Sequence, residues 1–387
     1  MEIVNRVSIA NNLDVIVQEL TQDLKEPYDL GFLFVSFFNR EFVDDLSSQV
    51  QKKLKVKQLL SCACAGIIGT HSEVERQPAC SLILAKLGNV PVNSFHLDQD
   101  TLETLAKLAD WYDYFDVYPN EKPKFLVLCD PFMMDMNQFM EGINKAYPQC
   151  PVIGGIASAA SAARGNTLIL NGEVYDEGAI GVHLTTGVRI ETIVSQGCRP
   201  FGESFIITKA QGNIVYELAG RSFLQVLEEV LNKAPQRDRT LAKEAIFIGI
   251  AMNEYKHEMK RGDFLIRMLI GIDDQTGAGA IADYVRTGQT IQFHVRDAIS
   301  ATEDLNELLK LQQNKHPQVN PSGALIFSCN GRGENLFQQK NHDIGIIQNQ
   351  IGGVPGAGFF CAGEIGPVGG KNFIHGFTSS IALFYPE

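Results

Sequence analysis

The chain has 387 residues, 45% of them apolar and 20% charged, with 33 Lys and Arg against 45 Asp and Glu for a net charge of −12. That length and hydrophobicity are enough for about two cores of ordinary size, which excludes disorder and fibre. The acidic excess repels phosphate backbones and anionic lipid alike, so neither nucleic acid nor a membrane is an expected partner.

At the start, Met1-Glu2-Ile3-Val4-Asn5 has no basic stretch leading into an apolar one. The longest apolar runs, such as residues 32–38, fall far short of the roughly twenty needed to cross a bilayer, so a cytoplasmic protein is expected. Leu13, Ile16, Val17, Leu20 and Leu24 recur at helical spacing behind Asn11 and Asn12, either of which can cap, and Pro27 closes the segment.

Three blocks then share one pattern. In the first, a strand at 32–38 leads to a helix at 42–54, a strand at 59–66 ending in small residues, and a strand at 81–85. The second has strand 124–131, a helix carried by Met136, Phe139, Met140, Ile143 and Tyr147, strand 151–158, a Gly/Ala/Ser stretch and strand 178–184. The third has strand 324–330, a helical stretch through Leu336 and Phe337, strands at 354–361 and 362–366, and a closing strand at 376–384. Each strand–helix–strand unit predicts a parallel crossover, with the following strand added antiparallel by a hairpin. No fixed period links the blocks, so they are not a solenoid.

Between blocks two and three, residues 188–218 are β-rich and are followed by a helix at 221–232 and strands at 245–250, 264–272 and 290–295. Residues 233–239 read as a surface connection. Ser300-x-x-Glu303 reads as a capping box opening a helix with Leu305, Leu308 and Leu309 inward. The predicted fold is α/β: two modules with mixed β-sheets flanked by helices, internally duplicated. The predicted divisions are an N-terminal helix and linker at 1–27, then modules at 28–215 and 216–387.

Several strings resemble the FIST domain family. They are Ser195-Gln196-Gly197-Cys198-Arg199-Pro200-Phe201-Gly202, Asp263-Phe264-Leu265-Ile266-Arg267, Gly271-Ile272-Asp273, and residues 288–298 from Gly288-Gln289 to Asp297-Ala298. Others are Phe327-Ser328-Cys329-Asn330-Gly331-Arg332-Gly333, Gly363-Glu364-Ile365-Gly366-Pro367-Val368-Gly369, Asp130-Pro131-Phe132 and Pro151-Val152-Ile153-Gly154-Gly155. The resemblance implies a FIST N-terminal module followed by a FIST C-terminal module. It also implies a small-ligand-binding sensory role in intracellular signal transduction, with amino acids as the proposed ligands. With no room for an F-box ahead of the first strand and no kinase or receiver module behind the last, output is expected through a signalling protein in trans. The family brings no catalytic residues to carry over.

Strand ends followed by Gly-rich turns are where open α/β sheets take ligands. The candidate rim is therefore Asp130-Pro131, Gly154-Gly155, residues 330–333 and residues 361–366, unless these glycines serve only tight turns and close packing. Arg199, Arg267, Arg296 and Arg332 are each suited either to fork onto a ligand carboxylate or to pair internally. Arg332, flanked by glycines at a strand end, is the best placed. For an amino-acid ligand, Asp130 or Glu364 would take the ammonium. The candidate ligand-binding set is thus Asp130, Gly154, Gly155, Arg199, Cys329, Asn330, Arg332, Cys361 and Glu364.

The alternatives are a protein-interaction adaptor and a cysteine-dependent enzyme. The enzyme would use Cys329 or Cys361 with His375, oriented by Glu364 or Asp297. No cofactor or metal is expected. Leu336 stands where a dinucleotide fingerprint after Gly331-Arg332-Gly333 needs a third glycine. Cys62-Ala63-Cys64 lacks zinc-ribbon spacing, and His96, His257, His316 and His342 show no ligand spacing. The eight cysteines are expected to be buried and reduced.

Overall fold

The computed structural model describes residues 1–256, 259, 262–317 and 319–386. They form two compact units, residues 1–194 with 306–387, and residues 195–305. The expected module boundary at 215/216 falls within a strand of the second unit.

Three copies of one strand path make up the first unit. The first copy runs β1 (Glu2–Ser8), α1 (Leu13–Thr21), β2 (Tyr28–Ser36), α2 (Val43–Leu54), β3 (Val56–Cys64), β4 (Gly66–Ile68), β5 (Glu73–Glu75) and β6 (Cys80–Lys86). The second runs β7 (Val92–Leu97), α3 (Gln99–Thr104), α4 (Leu108–Phe115), β8 (Lys124–Cys129), α5 (Met136–Ala146), β9 (Val152–Ile156), β10 (Leu168–Leu170), β11 (Glu173–Tyr175) and β12 (Ala179–Leu184).

The third copy opens with β13 (Val188–Ser195) and is then interrupted by the second unit. That unit holds β14 (Cys198–Gln211), β15 (Ile214–Leu218), β16 (Arg221–Ser222), α6 (Phe223–Lys233), α7 (Gln236–Glu244), β17 (Phe247–Ala251), β18 (Phe264–Asp273), β19 (Ala278–Ile281) and β20 (Thr290–Arg296). The path resumes with α8 (Ala298–Lys315), β21 (Gly323–Cys329), α9 (Gly333–Phe337), α10 (His342–Ile351), β22 (Gly356–Cys361), β23 (Gly363–Val368), β24 (Lys371–His375) and β25 (Ser379–Pro386).

In each copy the two central strands are parallel across their helix, as β2–β3, β8–β9 and β21–β22. The last strand returns antiparallel to the first of them, as β6, β12 and β25. The short hairpin between does not stay in its own sheet. Strand β4 pairs with β22, β10 with β3, and β23 with β9, so each copy lends its hairpin to a neighbour and the exchange closes in a ring. Three six-stranded sheets result, β1-β6-β2-β3-β10-β11, β7-β12-β8-β9-β23-β24 and β13-β25-β21-β22-β4-β5. The recurrence in the sequence is therefore threefold within one unit.

Strand alternation explains the layering. Phe32 and Phe34, Leu126 and Leu128, and Leu325 and Phe327 all face one common core. There the Phe34 ring lies 5.2 Å from Phe359 and 6.4 Å from Phe327. The alternate residues face outward, Leu33 and Val35 onto α1 and α2, and Val127 and Cys129 onto α4 and α5.

The first central strand ends at Ser36 rather than continuing to Phe38. Residues Phe37–Phe42 turn into a 3-10 helix that leaves Phe37 and Phe38 exposed, with Arg40 stacked on Phe37. Residues 2–8 pair with β6 before the first helix begins, an edge strand too short and too polar to stand out in the sequence.

In the second unit, β14 pairs with both β20 and β15, so the sheet closes into a barrel around Phe201, Phe205, Ile248 and Phe293, with Phe223, Val226 and Leu227 of α6 packed into it. Part of the expected connection at 233–239 is the start of α7. Helix α8 begins ahead of the Ser300 box, and the Asp297 carboxylate accepts the Ser300 N–H at 2.7 Å. All eight cysteines are buried and none forms a disulfide.

Candidate functional site

The three copies allow position-by-position comparison, because their hydrogen-bond ladders end in the same way. The N–H groups of Ser36, Asp130 and Cys329 donate to Ala79, Gly178 and Thr378 at 2.9, 2.8 and 2.9 Å. These three residues are thus equivalent, each closing the inner face of its central strand. In the first two copies the polar group is satisfied locally. Ser36 Oγ donates to the Gln77 carbonyl at 3.1 Å and accepts the Ala79 N–H at 3.0 Å. Asp130, fully buried, accepts the Phe132 N–H at 2.9 Å and the Asn166 amide at 3.0 Å. In the third copy, Cys329 Sγ accepts the Gly331 N–H at 3.4 Å.

The lent hairpins differ more sharply. Their registers align Ile67 with Val74, Leu168 with Tyr175, and Glu364 with His375. Their partners in the receiving sheets, Phe359, Cys62 and Gly155, are themselves equivalent. Glu364 thus occupies a fully buried, core-facing position that the other copies fill with Ile67 and Leu168. Burying a carboxyl group there costs about several kcal/mol against an aliphatic side chain. Glu364 Oε2 accepts the Thr378 N–H at 3.0 Å, and His375 Nε2 lies 3.0 Å from the Gly366 carbonyl. The intervening Phe377 has φ +61°, in the left-handed region that disfavours a bulky residue. Its ring crowds Gly331, where a Cβ would sit 3.2 Å from Phe377 Cδ1.

Cys361 sits at the foot of this group. Burial, and after it Glu364, push its thiol well above the ordinary value, so it stays protonated. The Asn330 N–H donates to the Cys361 carbonyl at 2.9 Å, while Asn330 Oδ1 is buried with no hydrogen-bond donor among the described residues. Cys329, Asn330, Cys361 and Glu364 therefore lie together, at the ends of β21 and β22 and the start of β23.

Other predicted residues have internal partners. A Cβ on Gly154 would lie 1.9 Å from the Val127 carbonyl oxygen, and one on Gly155 would lie 2.5 Å from Cys361 Sγ, so both glycines serve close sheet packing. Arg332 is fully buried, with Nε and Nη2 at 2.6 and 3.0 Å from the Asp343 carboxylate. Burial alone would raise the Asp343 carboxyl, but Arg332 and His342 hold it well below the usual range. Ser328 Oγ donates to the same carboxylate at 3.2 Å, and Ser328 is equivalent to the apolar Val35 and Cys129.

In the second unit, Arg199 pairs with Asp238, Arg267 with Asp283 at 2.6 Å, and Asp297 with Arg237. His257 lies outside the described residues. Sequence reasoning missed Asp343, Glu73, Thr378 and Phe377. Of these only Phe377 carried a signal, as the aromatic in the turn between His375 and Thr378.

Comparison with known proteins identifies the family. A FIST N domain matches residues 29–221 and a FIST C domain matches residues 224–367. A Mycobacterium tuberculosis protein described as uncharacterized is 39% identical over 341 residues, covering 88% of this chain and 87% of its own length. A Mycobacterium bovis protein, also described as uncharacterized, is 36% identical over 362 residues, covering 94% and 92%. FIST domains are commonly described as small-ligand sensory domains of signalling proteins. Among the described residues no helix is long and apolar enough to cross a membrane. By its two domain matches and these relatives, the chain belongs to the FIST family.

Proposed function

We propose that the protein is a sensor for a small polar metabolite, an amino acid first among the candidates, and that it passes the signal to a protein partner in trans. The ligand binds at the strand end of the third copy, where Cys329 and Asn330 form the rim and the Glu364 carboxyl receives an ammonium or hydroxyl group. The observation that carries this reading is Glu364 itself. The same fold position holds an aliphatic residue twice, so architecture does not require the acid. A group retained at a cost to stability, beside a strained Phe377 and an Asn330 oxygen lacking a donor, marks a binding site better than a packing site. Arg332, held by Asp343, supports the rim from behind instead of forking onto the ligand. The cysteine-dependent alternative through Cys361 is disfavoured because its buried, protonated thiol is a poor nucleophile.

A thermal-shift screen against amino acids, organic acids and nucleotides tests the reading. A ligand at about a hundred times its Kd adds about 2.7 kcal/mol to stability. The response should vanish in Glu364→Gln and persist in Arg199→Ala. A response that survives Glu364→Gln, or none from any compound, would overturn it.

A further inference from the structure

The hairpin β4–β5 is lent by the first copy to the third, and its acids reach the helices that follow β21. Glu73 Oε1 accepts the Ile344 N–H at 2.7 Å, and the Glu73 N–H donates to Asn341 Oδ1 at 2.7 Å. Glu75 Oε1 accepts the Glu334 N–H at 2.8 Å, with Gly333 so close that a Cβ there would lie 2.3 Å from it. Helix α10 has no cap of its own, since Asn341, in the left-handed region, makes no side-chain cap bond. The first copy therefore supplies the cap.

Glu73 is only 7% exposed, and its second oxygen, Oε2, is buried without a hydrogen-bond partner. The charged and titratable groups around it are Asp343 and His342 of α10, Arg332 ahead of α9, and Glu75 of its own strand. Asp343 already receives two Arg332 donors, and it acts on Glu73 more strongly than Arg332 does. A negative charge on Glu73 would thus face a second carboxylate across a buried gap.

We propose that Glu73 is a proton-operated latch, which when protonated holds the start of α10 and the segment 330–344 against the hairpin, and when ionised lets them open. Burial, and after it Asp343, push the Glu73 carboxyl up to about 8, against an ordinary value of 4.5 in the opened, hydrated segment. The closed state therefore binds the proton more tightly than the open one. Opening becomes more frequent as pH rises between those two values, by up to about tenfold per pH unit, and levels off above the upper one. The device needs no ligand, so its test is separate from that of the sensory reading.

Hydrogen exchange of the amides in 330–344 would be measured on the full chain from pH 5.5 to 9, after correction for intrinsic exchange chemistry. Wild type should open progressively more up to about pH 8 and then level off. Glu73→Gln keeps an acceptor for Ile344 but cannot ionise, and its corrected exchange should be flat. A flat wild-type profile, or a Glu73→Gln profile that follows the wild-type rise, would overturn the latch. Should the variant fail to fold, the wild-type profile alone decides.

Discussion

At three sets of equivalent positions, one copy of the repeated path carries a polar group where the other two carry apolar ones. Facing the common core, Glu364 stands for Ile67 and Leu168. Facing outward, Ser328 stands for Val35 and Cys129, and Glu73 on the hairpin lent to that sheet stands for Val174 and Ile374. Strand path and register are otherwise shared, so at each position the two apolar counterparts act as internal controls. What they show is that these three positions can be filled by hydrophobic packing alone. Glu364, Ser328 and Glu73 therefore need an explanation other than architecture.

The strongest test transplants the acid. Ile67→Glu places a carboxyl group at the equivalent, fully buried position of the first copy, and should cost about 5 kcal/mol by denaturant unfolding. A near-neutral outcome would mean that the position tolerates acids in any copy, and the comparison would collapse. Breaking the buried pair with Arg332→Ala strands Asp343 and should cost about 3–5 kcal/mol by the same measurement.

Gly358→Ala tests close approach, since a Cβ there would lie 1.7 Å from the Ile326 carbonyl oxygen. It should cost about 1–3 kcal/mol or more. Its equivalent in the first copy is Ser61, which instead hydrogen-bonds Ser47 at 2.9 Å, so Ser61→Ala should cost only about 1 kcal/mol. Glu364→Gln keeps an acceptor for Thr378 and removes the carboxyl, so it should raise stability by about 1 kcal/mol while abolishing ligand response.

A pH slope is the remaining test. Glu73, raised when folded, contributes stability that is complete below its ordinary value of 4.5 and is lost as pH rises to about 8. Asp343, lowered when folded, contributes stability that is present above its ordinary value of 3.8 and is lost as pH falls through its folded value. The melting temperature of wild type should therefore decline between about pH 5 and 8, and Glu73→Gln should flatten that decline without altering the acid limb.

Much of the fold was legible in the residues. Buried runs such as 124–129 and 324–329, each followed by helical spacing and a second apolar run, announced the parallel crossovers, and the family strings announced the rest. The candidate site was legible in part. The strand-end rule brought Cys329, Asn330, Cys361 and Glu364 into one set, and the structure groups them. It also chose Gly154, Gly155 and Arg332, which face the Val127 carbonyl, Cys361 and Asp343, because glycine spacing looks the same whether a ligand or a neighbouring group comes close. Asp343 could not be paired with Arg332 from the sequence, since a separation of eleven residues through a turn and two helices hides which face each presents.

By themselves, the residues determined the central strands and the helices that link them, because periodicity and capping act over a few neighbours. They also determined that one pattern is used three times. Only the tertiary structure decided that each short hairpin leaves its own sheet for the next, since an unpaired strand edge accepts any strand of suitable length and only core packing selects among them. The same packing made Glu364 a buried acid and Ile67 a buried aliphatic at equivalent positions. A side chain's energy depends on what surrounds it, and here those surroundings come from another copy of the repeat.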